Sequence, residues 1–145
     1  MTTTTPTPHD PAKDTLTGIR VNVDGTLDTV TVDQTSGRTR GLNKTIGSDR
    51  FDVVALRLGI DVFVDDEGLY NAGPNPVLSG MASSLFTTSG AALHLHGAGL
   101  FLGVDNATGD TISLAGEQRY AIVREWQRTT KARTVIASGV LTATA

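Results

Sequence analysis

Residues 51–76 constrain the fold of this chain more than any other stretch of its sequence. An apolar run at 51–58 and an alternating run at 60–65 are joined by Gly59, so the two predict a β-hairpin. Because apolar residues fill both faces of the first run, we expect that strand in the interior of a sheet and its partner half-exposed. The pair Asn75-Pro76 then predicts a helix start, since Asn caps free amide groups and Pro suits the first turn.

The remaining predicted elements can be placed around this hairpin. Alternation of Ile19, Val21 and Val23 with polar residues, followed by the turn Asp24-Gly25, predicts an earlier hairpin. Further predictions are helical turns at 39–46, a helix at 76–86, a bent or divided strand at 91–104 and a last helix at 115–128. Together they predict an α+β fold: a small mixed or antiparallel sheet built from two hairpins plus a later strand, with two helices packed on it.

Three segments divide the chain. Residues 1–16 are rich in Thr and Pro and lack apolar periodicity, so we expect a flexible tail. Residues 17–128 are predicted to form a single α+β domain, because 145 residues with 39% hydrophobic content fill one modest core. Residues 129–145 hold few apolar side chains, and we expect either a late strand or a frayed tail there.

The composition excludes several classes of site. The sequence has no cysteine, so thiol nucleophiles, disulfides and cysteine-ligated metals are excluded. The N-terminal residues lack the basic start and apolar core of a signal peptide, and no apolar run reaches the roughly 20 residues of a membrane span. We therefore expect a soluble, cytoplasmic protein with no membrane partner.

The formal net charge of −3 is unevenly distributed along the chain. Residues 51–112 carry seven acids and one base, whereas residues 113–145 carry two acids and five bases. A net negative charge gives the whole molecule no electrostatic attraction to nucleic acid. On the basic end, Arg124 and Arg128 share one helical face, which is either partner-facing or an ordinary solvated surface.

The acidic turn Asp65-Asp66-Glu67 is a second candidate surface. Carboxylates bind Mg²⁺ or Ca²⁺ when several of them converge. Three adjacent acids in one turn cannot all converge, and no calcium-loop spacing surrounds them. A metal role, a solvated turn and a partner-facing acidic surface stay open as interpretations, and we predict no metal site.

His94 and His96 are the clearest chemical signal in the sequence. Alternation along a strand puts both imidazoles on one face, an arrangement that recurs in metal sites. No third ligand is indicated, so a metal site competes with a surface or groove-lining pair. Gly97 and Gly99 predict a bend next to them, and these four residues form the candidate ligand-binding set.

Several turns and strands of the chain resemble those of a known family. The segments 51–54, 59–68 and 73–76, the hairpin at 19–26 and the turn at 103–111 are similar to the bacterial and phage domain of unknown function 3846. The resemblance spans about residues 18–118. Phe63 stands where members commonly have tryptophan, and His94 and His96 match no motif of the family. The resemblance implies a fold and an actinobacterial, mobile-element or phage-related context, and it implies no activity.

These observations lead to one principal functional hypothesis and two alternatives. The principal hypothesis is a non-enzymatic binding protein with an unknown protein partner, because the sequence lacks a nucleophile–base set and a phosphate loop. One alternative is a protein that sequesters a small molecule such as a nucleotide signal at the glycine-rich bend with His94 and His96. The other is a metal-dependent hydrolase that uses the same two histidines. No cofactor is predicted, and a homo-oligomer stays open.

Overall fold

The computed structural model describes residues 15–88 and 90–143 of the chain, with side chains as far as residue 132. Strand β1 (Thr15–Val21) begins the described part. The predicted tail includes Thr15 and Leu16, which instead pair with Asp33 and Val32. That boundary is wrong by two residues because Leu16 is apolar and packs into the core. Residues 1–14 of the predicted tail lie outside the described residues.

A six-stranded antiparallel sheet forms the centre of the fold. After β1 come β2 (Leu27–Asp33), β3 (Phe51–Ala55), β4 (Ile60–Asp65), β5 (Gly99–Val104) and β6 (Thr111–Ile112). The order across the sheet is β2-β1-β5-β4-β3, and β6 pairs with β5. The two predicted hairpins are β1–β2 and β3–β4, and the later strand lies between them. The predicted α+β fold class is confirmed.

The order of the strands corrects one prediction about burial. Strand β3 lies at the sheet edge, where Val53 is 40% exposed. Its partner β4 is in the interior and is mostly buried. The reason lies in β5, whose Leu100, Phe101 and Leu102 are fully buried between β1 and β4. This more apolar strand takes the central position, so β3 is left at the edge.

Helices cover both faces of the sheet. They are α1 (Arg38–Ile46), α2 (Gly68–Asn71), α3 (Pro76–Leu85) and α4 (Gly116–Ala143). Helices α3 and α4 pack on the face that carries Ile60, Val62 and Val64. Helix α1 packs on the opposite face, where its Leu42 and Ile46 belong to a second cluster of buried apolar side chains. The alternation of β4 therefore serves two cores, since Phe63 belongs to the α1 side.

Asn75 fixes the start of α3 and is fully buried. Its Oδ1 accepts a hydrogen bond from the Leu78 N–H at 3.0 Å, as predicted for a capping residue. Its Nδ2 donates to the Val21 carbonyl at 3.2 Å and to the Gly97 carbonyl at 2.9 Å. One side chain thus joins the end of β1, the loop before β5 and the helix.

The predicted strand at 91–104 is shorter than expected, because only Gly99–Val104 belongs to the sheet. The residues before Gly99 lie along α3 instead. The N–H groups of Leu93 and Leu95 donate to the hydroxyls of Ser83 and Ser79, each at 2.8 Å. Helix side chains therefore satisfy this backbone, and Gly97, at φ 78°, turns the chain into β5.

Helix α4 continues past Arg128, where the sequence predicts its end, to Ala143. No proline interrupts residues 129–143, and extending an existing helix costs little per residue. The predicted late strand is therefore wrong for residues 129–143, and residues 144–145 lie outside the described part. Trp126 Nε1 donates to the Gly25 carbonyl at 2.8 Å, which holds α4 against the first hairpin.

Candidate functional site

Four connecting segments meet at one end of the sheet. Because neighbouring strands are antiparallel, the same end of the sheet contains the last residues of β1 and β4 and the first residues of β3 and β5. The segments that extend from these strand ends enclose a cleft of about 500 Å³. It is lined by residues 22–23, 46–49 and 97–98 together with Asp65, Asn71 and Ala72. We call this space the cleft.

Several backbone donors around the cleft are used within the fold. The N–H groups of Gly47 and Ser48 donate to carbonyls of α1, at 3.3 and 2.9 Å. Those of Ala72 and Gly97 donate to the carbonyls of Gly68 and Gly73, at 2.9 and 2.8 Å. These four N–H groups are therefore not available to bind a phosphate group.

The side chains of the cleft present acceptors. Asn22 Nδ2 donates to Thr26 Oγ1 at 3.0 Å and to Asp28 Oδ2 at 2.8 Å, so its amide hydrogens are engaged and its Oδ1 is left as an acceptor. The hydrogen bond from Asn22, followed by that from Arg20, lowers the pKa of Asp28. Asp49 makes no hydrogen bond or ion pair within the described chain. Asp65 uses only Oδ1, which accepts the Glu67 N–H at 2.9 Å.

Residues 65–71 project beside the cleft, and we call them the knob. The Asp66 carboxylate pairs with Arg50 at 2.9 Å, and the Glu67 carboxylate lies 4.0 Å from the same guanidinium. Gly68 is buried against His96, so that an added Cβ would lie 2.9 Å from the His96 carbonyl oxygen. On this fixed backbone, Leu69 is 67% exposed and Tyr70 is 84% exposed. The knob presents two large apolar side chains next to an acidic turn.

The four predicted ligand-binding residues do not all come together. Gly97 lines the cleft, whereas His94 and His96 line a separate groove of about 440 Å³ beside α3. Gly99 is buried beneath α3, where an added Cβ would lie 2.6 Å from Leu78 Cδ1. Gly99 therefore allows close packing of strand and helix, while Gly97 belongs to the cleft.

The two histidines lack the partners that a metal site needs. His94 is exposed and His96 is half-buried, and both lie on the irregular segment before β5. Among the residues that the structure describes, no group of three or more His, Cys, Asp or Glu side chains could hold a metal ion. The groove they line also contains Ser79, whose hydroxyl donates to the Asn75 carbonyl at 2.8 Å.

The predicted partner-facing residues fall on two separate surfaces. Asp65, Asp66 and Glu67 lie on the knob, with Asp65 also lining the cleft. Arg124 and Arg128 are exposed on α4, where Arg128 pairs with Glu125 at 3.3 Å and borders a groove next to Gly80. Within the described chain, no hydrogen bond or ion pair joins the two surfaces.

Sequence analysis missed Leu69 and Tyr70, which the structure shows among the most exposed large apolar side chains of the described residues. A four-residue helix is too short for apolar periodicity to be visible. The available signal was an apolar pair directly after an acidic turn. Asn22, Asp49 and Asn71 were also missed, because only the strand order brings them to the cleft.

Asp61 differs from the other described carboxylates because partial burial raises its pKa. It lies on β4 beside Leu102, outside both the knob and the lining of the cleft, and its side chain has no hydrogen bond or ion pair with another described residue. A raised pKa means that the folded state disfavours the carboxylate more than the unfolded state does. The resulting loss of stability is absent at low pH, grows as pH rises through the folded pKa, and is complete above it.

We therefore expect Asp61→Asn to raise the thermal unfolding midpoint at pH 7 and to lose this advantage as the pH falls toward 3. Thermal unfolding of both proteins between pH 3 and pH 8 measures the difference. Asp52→Asn, on the exposed neighbouring strand, is the matched control for removing a charge and adding an amide to a strand. An advantage of Asp61→Asn that grows as the pH falls would contradict the assignment.

Comparison with known proteins identifies a family for this chain. The sequence model of the family described as domain of unknown function (DUF3846) matches residues 13–129. No curated protein and no solved structure matches the chain. Among the described residues, no helix has both the length and the apolar character needed to cross a membrane.

Proposed function

The chain belongs to the domain of unknown function 3846 family, and from this starting point we propose that it is a non-enzymatic interaction protein that binds a protein partner through its knob. The observation that carries the proposal is the exposure of Leu69 and Tyr70, at 67% and 84%, on a backbone that the fold holds in place. Tyrosine is enriched among the side chains that dominate binding energy at protein interfaces. The mobile-element or phage-related context is part of this proposal and rests on the family resemblance.

The fixed backbone of the knob favours binding. The N–H groups of Tyr70 and Asn71 donate to the Glu67 carbonyl at 2.9 and 3.0 Å, and Gly68 is packed against His96. A side chain presented on ordered backbone loses less conformational entropy on association than one on a loose loop. The knob is therefore suited to place Tyr70 into a pocket of a partner.

The charge beside Tyr70 indicates the chemistry of that partner. Asp65, Asp66 and Glu67 precede the apolar pair, and Arg50 neutralises only part of this charge. Complementary potentials favour a partner with an apolar pocket that has basic residues at its rim. The contact should weaken as salt concentration rises, because exposed charges are screened.

The serines nearest to the histidines support a non-enzymatic role. Ser79 and Ser83 accept the amide hydrogens of Leu95 and Leu93, and the Ser79 hydroxyl itself donates to a backbone carbonyl. A nucleophilic serine needs its proton directed at a base. These hydroxyls instead hold the segment before β5 on α3.

The geometry supports the two alternative functions, a nucleotide-sequestering protein and a metal-dependent hydrolase, less well. A nucleotide carries phosphate groups, whereas the cleft at Gly97 contains Asp49 and Asp65 and has no Lys or Arg among its lining residues. A metal-dependent hydrolase would need ligands besides His94 and His96, and the described residues provide no such group. Both therefore rank below the interaction protein.

We expect the double variant Leu69→Ser/Tyr70→Ser to bind the partner at least about 30-fold more weakly, the loss associated with hot-spot residues of about 2 kcal/mol. The wild-type chain is used to purify a partner from cells that encode it, and the affinity of the purified pair is then measured for each variant. Both residues are exposed, so the double variant should keep its folded stability within about 0.5 kcal/mol.

Tyr120→Ser is the matched control for this experiment, because Tyr120 is 68% exposed on α4. It should bind as the wild type does. Equal weakening by both variants, or no weakening by the double variant, would contradict the knob as the binding surface. Analytical ultracentrifugation of the wild type alone separates a different protein partner from a second copy of this chain.

A further inference from the structure

The cleft carries an inference that is independent of the knob. Its volume of about 500 Å³ lies within the range of small-molecule sites, about 300–1,000 Å³. Its walls come from four connecting segments that are distant in sequence and that the strand order brings together. A space of this kind is defined by the fold and not by one flexible loop.

Most polar side chains of the cleft present acceptors. The N–H groups of Gly47, Ser48, Ala72 and Gly97 are engaged within the fold. The Ser48 hydroxyl donates to Asn43 Oδ1 at 2.8 Å, so it too is used. Among the lining side chains, only the Asn71 amide retains donors that the described fold does not use. A ligand that supplies hydrogens therefore matches these side chains.

Three lining groups can receive those hydrogens. They are the Asp49 carboxylate, the second oxygen of Asp65 and the Asn22 Oδ1. Arg50 follows Asp49 in the chain but pairs with Asp66, and it is not among the residues that line the cleft. Guanidinium and ammonium groups carry several donors and a positive charge, which match this set.

We propose that the cleft is a binding site for an organic cation, a guanidinium or primary ammonium group on a short aliphatic stem. The cation donates to Asp49, Asp65 and Asn22, which line the cleft together. Val23 and Ile46 supply apolar surface for the stem. The group can belong to a free amine or to an arginine side chain of a polypeptide, and the experiment separates these sources.

Titration of the full chain, followed by amide NMR shifts, tests the proposal with three probes. Agmatine represents a free guanidinium, a blocked Gly-Arg-Gly tripeptide represents a polypeptide arginine, and adenosine monophosphate represents an anionic nucleotide. We expect saturable shifts at the amides of Gly47, Ala72 and Gly97 with at least one cation and none with the nucleotide. Binding of agmatine indicates a free amine, and binding of the tripeptide alone indicates a polypeptide source.

Variants that replace a carboxylate with an amide show whether the cation binds at Asp49 and Asp65. Asp65→Asn keeps the oxygen that accepts the Glu67 N–H, so the turn is retained, and Asp49→Asn disturbs no described contact. Each should weaken the cation about tenfold, the loss expected for one charge-assisted hydrogen bond. Asp52→Asn removes the same charge from an exposed position outside the cleft and should change affinity less than about twofold, since exposed charges are screened by salt.

Three results would overturn the proposal. They are the absence of shifts at about 10 mM of both cations, equal weakening by Asp52→Asn and Asp65→Asn, and binding of the nucleotide in place of the cations. None of them bears on the knob, since Leu69 and Tyr70 do not line the cleft.

Discussion

Replacing Asn75 with Ala is expected to lower the free energy of unfolding by about 3 kcal/mol, more than any other single substitution considered for this chain. The helix cap that Asn75 provides to Leu78 contributes about 1 kcal/mol. The same change leaves the Val21 and Gly97 carbonyls without their amide donor in a fully buried place, at about 1 kcal/mol each. Three parts of the fold lose a contact at once.

Urea unfolding of the wild type and the variants measures this loss. Asn106→Ala is the matched control, because Asn106 is exposed in the loop after β5 and should change stability by less than about 0.5 kcal/mol. Asn75→Asp keeps the capping oxygen and removes the two donors, so it should destabilise at least as strongly as Ala. An Asn75→Asp protein that is as stable as the wild type would show that the donors to Val21 and Gly97 contribute nothing to the free energy of unfolding.

Gly41→Ala is expected to destabilise the protein by about 2 kcal/mol, although Ala is favoured over Gly inside a helix by about 1 kcal/mol. Gly41 lies buried in α1, and an added Cβ would collide with the backbone oxygen of Asp33 at the end of β2. It would also lie 3.2 Å from Val32 Cγ1. Since a backbone atom cannot rotate away, α1 must shift off the sheet.

The control for Gly41 is another helical glycine. Gly116 begins α4, and an added Cβ there would meet nothing within 4 Å. Gly116→Ala should be neutral or slightly stabilising, since it carries the propensity gain without a collision. Chemical unfolding of both variants gives the comparison, and a more stable Gly41→Ala protein would contradict the close packing of α1 on β2.

The parts of this fold that sequence analysis predicted are those fixed by local chemistry. Gly47 ends α1 in the left-handed conformation at φ 72°, and Leu58-Gly59 forms the turn between β3 and β4 at φ 68° and 67°. Asn75 caps α3, and the apolar stripe of that helix is buried. Each of these features depends on a few neighbouring residues, so a pattern in the sequence is sufficient.

The features that could not be predicted depend on contacts between distant residues. Strand β5 lies between the two hairpins, so β3 is an edge strand despite its apolar residues. Ser79 and Ser83 hold the segment around His94 on a helix, and no local pattern indicates that pairing. Asn75 was predicted as a cap, but its contacts to Val21 and Gly97 span 54 and 22 positions of the chain.

The knob and the cleft share Asp65 and Asn71 but use different groups for the interactions that we propose. The knob offers the apolar side chains of Leu69 and Tyr70 to a protein surface. The cleft offers oxygen atoms to a cation. Variants at Tyr70 and at Asp49 therefore test the two proposals separately.

The central claim is that this chain binds a protein partner through the knob, and site-specific photo-crosslinking tests it most directly. A photoreactive phenylalanine derivative is placed at Tyr70 or at Tyr120, both exposed, in cells that encode the chain. We predict a discrete crosslinked product from the variant at Tyr70 that is missing from the variant at Tyr120. The same products from both positions, or no product from Tyr70, would contradict the claim.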